Sequence, residues 1–398
     1  MDRQEMLASA RVLAARSFAT LFLAVMAVVG SLVVWRLRKA LPVLCAHDSI
    51  QSVRDALSVE LSERFPLKCF CIDLNGAYCR LLGRRLCNER MRYANGMLGY
   101  AFDAPRSDVP TPVPDRIREE SAWCKATGIP FLWVLAPCKI DWNGDLLPPG
   151  WTVRNPNREA SAIAGQLAAE GIETLDLIHA FAGTPELVTC NFFETDHHWR
   201  YEAALRATGM LVDRLADLIP DPSLKGQSNL QDENWNWTDT GCTFLGSHGR
   251  RVGRCFGGLS RFRYCEPRYR SSITRRNVSS GRTYKGDFAK AEMVGHLLKE
   301  DDPYGRNRYG LYTGSDVGLQ LHKNSRAPNR RRIMIIKDSF GDPVSAFLAT
   351  VFTEVIQVDP RRLVAGQSVL ELLESHHPDA VVECCNARTV FAPKADGR

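Results

Sequence analysis

From residue 113 to residue 390, short apolar runs alternate with amphipathic stretches, and this alternation constrains the fold more than any other feature of the chain. Residues 131–136 form a continuous apolar run, a pattern that suits a strand buried on both faces. Residues 174–177, 332–336, 354–358 and 379–383 read as further short strands. Between them, residues 115–127, 157–170, 199–219 and 369–375 read as helices. In the longest of these, Leu205, Thr208, Leu211, Val212, Leu215, Leu218 and Ile219 fall on one face. Asp342 reads as the cap of another helix, with Pro343 at its first position and Ala346, Phe347 and Thr350 along it. Strands alternating with helices predict an α/β fold, a parallel sheet covered by helices on both faces. Ligands in such sheets bind at the carboxyl ends of strands.

Two motifs place chemistry on that frame. Thr195-Asp196-His197-His198-Trp199 sets a carboxylate two residues before an imidazole. About 140 residues later, Lys337-Asp338-Ser339-Phe340-Gly341 ends an apolar strand on a serine beside the start of a helix. An acid, a base and a hydroxyl suffice for nucleophilic acyl transfer: the imidazole takes the serine proton, and the carboxylate orients the imidazole. Backbone N–H groups at the helix start suit an oxyanion. Alone, each motif has a blander reading, a turn serine or a surface Asp-x-His. The acids and histidines could also ligate a metal. Against that, no second His/Cys/Asp cluster stands at ligand spacing, and His376-His377 reads as a surface helix end.

At the amino terminus, residues 18–35 carry no charge and are flanked by Arg16 and by Arg36, Arg38 and Lys39. That length spans a bilayer, and no small-residue cleavage site is evident, so an uncleaved single-pass anchor is expected within residues 1–39. Lys and Arg are balanced on its two sides and leave the orientation open. Twelve of the 13 cysteines lie beyond Cys45, which favours a disulfide-permissive compartment. Residues 40–112 read as a cysteine-rich lead-in and linker, with four prolines between Pro105 and Pro114.

Residues 220–330 break the rhythm and read as an insert containing Trp235 and Trp237. From Arg250 to Lys285 it holds eleven Lys or Arg against one acid, Glu266. Such a block is either a solvated loop or a surface for a polyanion, with Arg250, Arg251, Arg268, Arg270, Arg275 and Arg276 as candidate contacts. No nucleic-acid-binding motif accompanies the charge, so nucleic acid is not an expected partner.

Taken together, these blocks resemble the DHHW proteins, relatives of the alginate O-acetyltransferases in the SGNH hydrolase-like superfamily. Besides the Asp-His-His-Trp block, Ala136-Pro137-Cys138-Lys139 is similar to the family's strand ending in Pro-x-Lys. The segment from Leu245 to Gly253 is similar to its Gly-Ser-x-Gly-Arg-Arg block, and the residues around Ser339 to its nucleophile block. Val358-Asp359-Pro360-Arg361 and Cys384-Cys385-Asn386 follow in the family's order. The resemblance implies a flavodoxin-like, three-layer SGNH hydrolase domain at residues 113–390. It also implies a triad with Ser339 as nucleophile, His198 as base and Asp196 as orienting acid, His197 being the competing base. Relatives often carry a Gly-Asn pair where this chain has Tyr312-Thr313-Gly314-Ser315-Asp316. The oxyanion and substrate candidates are therefore Gly341, Ser315, Asn386, His197, Arg361 and Lys139.

The function implied is O-acyl transfer, in the first instance O-acetylation, to a cell-surface or exported polysaccharide by a membrane-anchored, extracytoplasmic enzyme. No nucleotide or coenzyme A motif is visible, and no cofactor or metal is expected. That fits an acyl donor delivered by a membrane-embedded partner. The alternatives are an esterase with the same triad and a non-catalytic glycan-binding assembly protein on the same scaffold.

Overall fold

The structure, a computed structural model, describes residues 67–101, 114–151, 155–299, 302–305, 307–314 and 317–391, with scattered positions between 20 and 54. Contacts divide the chain into two units after Leu74, and the elements that follow belong to the second. Most of the expected anchor at 18–35 lies outside the described residues, as does most of the proline-rich linker. Among the described residues, no helix is long and apolar enough to cross a membrane.

A small antiparallel sheet comes first: β1 (Leu86–Cys87), β2 (Arg90–Arg92) and β3 (Leu98–Tyr100). The main sheet then begins with β4 (Phe131–Ala136) and β5 (Thr174–Asp176). A long hairpin, β6 (Trp235–Phe244) and β7 (Ser260–Pro267), stands apart from it. The main sheet resumes with β8 (Ile273–Asn277), β9 (Thr283–Gly286), β10 (Leu319–Asn324), β11 (Asn329–Lys337), β12 (Phe352–Val358) and β13 (Ala380–Asn386). Its order is β5-β4-β13-β11-β12-β10-β8-β9. The first five strands of that order are parallel, as the alternation predicts. The other three are antiparallel additions, so the 220–330 insert is in part a continuation of the sheet.

Helices cover both faces. On one lie α1 (Asp115–Thr127) and α2 (Pro156–Ala169), with Ile117, Ala160, Ile163 and Leu167 packed on Trp133, Leu135, Met334 and Ile336. On the other lie α3 (Tyr201–Leu218) and α4 (Gly341–Leu348), packed on Leu132, Val134, Ile333, Ile335, Val355 and Val382. Successive strand residues point to opposite layers, which is why the buried strands read as unbroken apolar runs. The helix α5 (Val369–His376) closes the first face, starting at a capping box between Ser368 and Glu371.

One local expectation is corrected. The helix after Ser339 starts at Gly341, and Asp342 does not cap it. Its carboxylate turns inward to the Lys337 ammonium. The buried charge of Lys337 demands a partner more strongly than a helix end does.

Candidate active site

Ser339 sits two residues past the end of β11, at the carboxyl edge of the parallel strands. The turn is held by Asp338, whose Oδ1 accepts from the Phe340 N–H at 2.9 Å. Its Oδ2 accepts from the Asn386 N–H at 2.7 Å and from Thr389 Oγ1 at 2.6 Å. At Gly341 the chain passes so close to Lys337 that an added Cβ would lie 2.4 Å from the lysine Cβ. Glycine is therefore required there. Behind the turn, Lys337 lies between Asp342 and Asp359, and Asp359 takes both arms of Arg361 at 2.7 and 2.8 Å.

The loop 191–200 supplies the acid and base. Asp196 Oδ1 accepts from the His198 backbone N–H at 2.9 Å, an Asx turn, and pairs with His198 Nδ1 at 2.5 Å. The spacing of two thus lets one oxygen fix both the main chain and the ring of His198. His198 Nε2 meets Ser339 Oγ at 2.7 Å. Asp196 is fully buried and His198 nearly so, whereas Ser339 is part-exposed. Burial alone would raise the Asp196 pKa. The His198 and His197 rings, with hydrogen bonds from His198 and the Ser247 N–H, hold it well below the usual carboxylate range. The Tyr309 ring stacks on His198 with centroids 3.7 Å apart and planes 9° from parallel, fixing the ring from its face.

His197 points elsewhere. Its Nδ1 pairs with Ser247 Oγ at 2.7 Å, and burial followed by the neighbouring His198 pushes its pKa down. Asp196, His197 and His198 also form the one group of side chains among the described residues whose ligand atoms lie close enough to share a metal ion. Both Nδ1 atoms and both carboxylate oxygens are already hydrogen-bonded, so an ion there would have to displace this network.

The remaining candidates separate. Gly341 donates its N–H to the Asp338 carbonyl at 3.0 Å. Asn386 spends both amide hydrogens on the carbonyls of Ala136 and Pro137, and its oxygen faces Cys138 Sγ. Lys139 is buried and bonded to three carbonyls of the 191–200 loop. Burial pushes its ammonium down to about 7, against the pull of Asp196 and Glu194. These three are thus corrected from oxyanion donors to structural supports. The Ser339 N–H donates to no group among the described residues, which leaves it available for an oxyanion. Ser315 lies outside the described residues.

Of the basic candidates, Arg251, Arg268, Arg270 and Arg276 are exposed and Arg250 is part-buried. Arg275 is corrected: it is buried, and its guanidinium serves the carbonyls of Ala291 and Thr313 and the Gln320 side chain. Trp235 is buried against Phe288 and Phe347 and cannot meet a sugar. Trp237 is part-buried beneath Arg263. All twelve described cysteines are free thiols.

Three contributors were not assigned roles from the sequence. The Ser247 N–H donates to Asp196 Oδ2 at 2.5 Å. Gly246 lies so close that an added Cβ would be 2.3 Å from the Asp196 Cβ. Both belong to the Gly-Ser-x-Gly-Arg-Arg block, so a signal was present without a role. Tyr309 had no signal at all.

Residues 115–241 match the family model described as SGNH hydrolase-like domain, acetyltransferase AlgX. This chain resembles the AlgX family. The structure resembles Bacillus cereus PatB1 solved with a sulfonyl adduct, at 18% identity and a TM-score of 0.60, over 75% of this chain and 96% of that one. It also resembles a DHHW family protein from Eubacterium siraeum, at 14% identity and a TM-score of 0.56, over 78% of this chain and 95% of that one. At such identities these two likenesses establish a shared fold. The O-acetyltransferase domain of Pseudomonas putida AlgJ aligns more loosely, with a TM-score of 0.43 at 10% identity over 77% of this chain and 94% of that one. No curated protein matches the chain.

Proposed function

We propose that this chain is a serine O-acyltransferase, in the first instance an O-acetyltransferase, that esterifies hydroxyls of an exported or cell-surface polysaccharide. The observation that carries the reading is the continuous relay from Asp196 through His198 to Ser339, with contacts of 2.5 and 2.7 Å. The AlgX-type acetyltransferase model over residues 115–241 supports it independently.

In the first half-reaction, Ser339 Oγ attacks the acyl carbonyl carbon while its proton passes to His198 Nε2. The Ser339 N–H is positioned for the developing oxyanion, and Asp196 stabilises the imidazolium. Collapse breaks the bond to the donor's leaving group, which takes the proton from His198, and an acyl-serine remains. In the second half-reaction, an acceptor hydroxyl gives its proton to His198 and attacks the same carbon. The ester product leaves as Ser339 takes the proton back. Water at the second step would give hydrolysis.

The acceptor side of the proposal rests on charge. Beside His197, the Arg388 guanidinium lies 4.0 Å from the Tyr100 ring centroid and that of Arg90 4.9 Å. Arg90 is buried, so the charge within reach is that of Arg388 together with exposed Arg251, Arg268, Arg270 and Arg276, which favours an anionic polysaccharide. The proposal includes anchorage through residues 18–35, a catalytic domain outside the cytoplasm, and an acyl donor delivered by a membrane-embedded partner.

The test is to incubate the protein with an activated acetyl ester, with and without charged and neutral oligosaccharides, and to measure hydrolysis and transfer separately. Acetylated oligosaccharide, lost on Ser339→Ala, is the expected result. Acetate release alone would make the protein an esterase. Unchanged turnover by a folded Ser339→Ala variant would overturn the triad.

A further inference from the structure

We propose that Lys139 is a positioning residue for the reaction, a buried clasp that holds Asp196 in register with His198. The inference rests on the triad reading above.

Lys139 follows β4 after Pro137 and Cys138 and is almost fully buried. Its Nζ donates to the carbonyls of Phe193 at 2.5 Å, Glu194 at 2.8 Å and Asp196 at 2.9 Å. An ammonium has three N–H donors, and here each one meets a carbonyl of the loop that carries the acid and base. Among the described residues, no carboxylate oxygen comes within ion-pair distance of it, so the lysine is not held there by a salt bridge. A buried charge without a paired acid is costly. A methionine of similar length would fill the space without that cost. What the methionine could not do is gather three carbonyls, one of them from Asp196 itself, onto a single point.

That point is fixed from the sheet side. The Lys139 carbonyl accepts from Tyr93 Oη at 3.0 Å, and the Cys138 N–H donates to Asn157 Oδ1 at 2.7 Å. Lys139 is therefore a strut between the rigid end of β4 and the 191–200 loop. From the opposite side, the Gly249 N–H donates to the Thr195 carbonyl at 2.9 Å and the Ser247 N–H to Asp196 Oδ2. The loop is gripped from both sides, with the Asp196 carboxylate between the grips.

The residue acts through Asp196, so its effect should vanish when Asp196 is gone. The measurement is a double-mutant cycle with Lys139→Met and Asp196→Ala. It is read as kcat and KM for a small acetyl ester and as the rate at which an aryl sulfonyl fluoride modifies Ser339. In that labelling, Ser339 Oγ attacks sulfur, fluoride leaves, and the serine proton passes through His198 to solvent. Rates are referred to the folded fraction from circular dichroism. Lys139→Met is expected to lower kcat and the labelling rate about 100-fold, the scale of a misplacement near 1 Å, with KM within about twofold. In the Asp196→Ala background the same change should cost less than about threefold. Lys139→Arg keeps the charge and several donors and should retain an intermediate rate. It carries the same cycle if Lys139→Met does not fold. Wild-type kcat in a folded Lys139→Met protein, or equal losses in both backgrounds, would overturn the proposal. If Ser339→Ala keeps its activity, the triad reading fails. If Ser339→Ala is inactive and Lys139→Met is not, this inference alone fails.

Discussion

Replacing Gly246 by alanine tests how tightly the acid is held. The new methyl carbon would lie 2.3 Å from the Asp196 Cβ, 2.6 Å from its Cα and 2.6 Å from Oδ2. Ordinary contact begins at 3.4 Å, so the two segments must part by about 1 Å. They have little slack. The Gly246 N–H is bonded to Thr195 Oγ1 at 3.0 Å, and the Ser247 N–H to Asp196 itself. Overpacking of this kind costs about 1–3 kcal/mol of stability, and a shift near 1 Å in a catalytic group costs about 100-fold in rate. Gly246→Ala should therefore remain largely folded yet lose about two orders of magnitude in kcat for an activated acetyl ester, with KM little changed. The assay is steady-state hydrolysis on protein whose folded fraction is measured by thermal melting. A variant that melts within about 1 °C of the wild type and keeps its kcat would show that the Asp196 loop moves freely. Gly246 would then not be clamping Asp196.

Other expectations follow from individual contacts. His198→Gln should abolish ester turnover while His197→Gln reduces it far less, because His198 alone meets Ser339 Oγ; equal losses in the same assay would refute this. Glu120 is buried beside Glu383, and burial first, then that neighbour, hold its carboxyl well above the usual pKa despite Arg116. Its contribution is therefore complete below the ordinary glutamate pKa and lost as pH rises through the raised value. Melting temperature should fall as pH rises above the ordinary glutamate range, and Glu120→Gln should flatten that limb; identical slopes would count against the raised pKa. Gly209, in mid-α3, has no atom within 4 Å of an added Cβ. Gly209→Ala should stabilise by about 0.5–1 kcal/mol in denaturant melts, and a loss of stability would show hidden crowding.

Much of the catalytic relay was legible in the chain because it is local at each end. A serine two residues beyond an apolar strand must sit at the sheet edge, and Asp-x-His lets one carboxylate cap the backbone and orient the ring. The central strands β4 and β11 were legible for a similar reason: burial on both faces writes itself as the unbroken apolar runs 131–136 and 333–336. The helix after Ser339 was misread at its start because Asp342 answers Lys337, a partner five residues back, before it answers the helix end.

Tertiary structure decided the rest. Local pattern reports which face of an element is buried and is silent about what meets it from 50 or 250 residues away. Arg275 counts as one more positive charge in a basic block, and only the fold turns it inward onto Ala291, Thr313 and Gln320. Asn386 has the chemistry of an oxyanion donor, but the pairing of β13 with β4 commits its amide to Ala136 and Pro137. Lys139 reads in the linear sequence as an oxyanion or substrate candidate in a Pro-x-Lys block. It becomes a clasp because β4 ends beneath the 191–200 loop, where a long side chain must find acceptors or stay buried without them. The sequence alone determined which residue types the site would need. Chain topology, which sets who meets whom across the sheet edge, decided what each of them does.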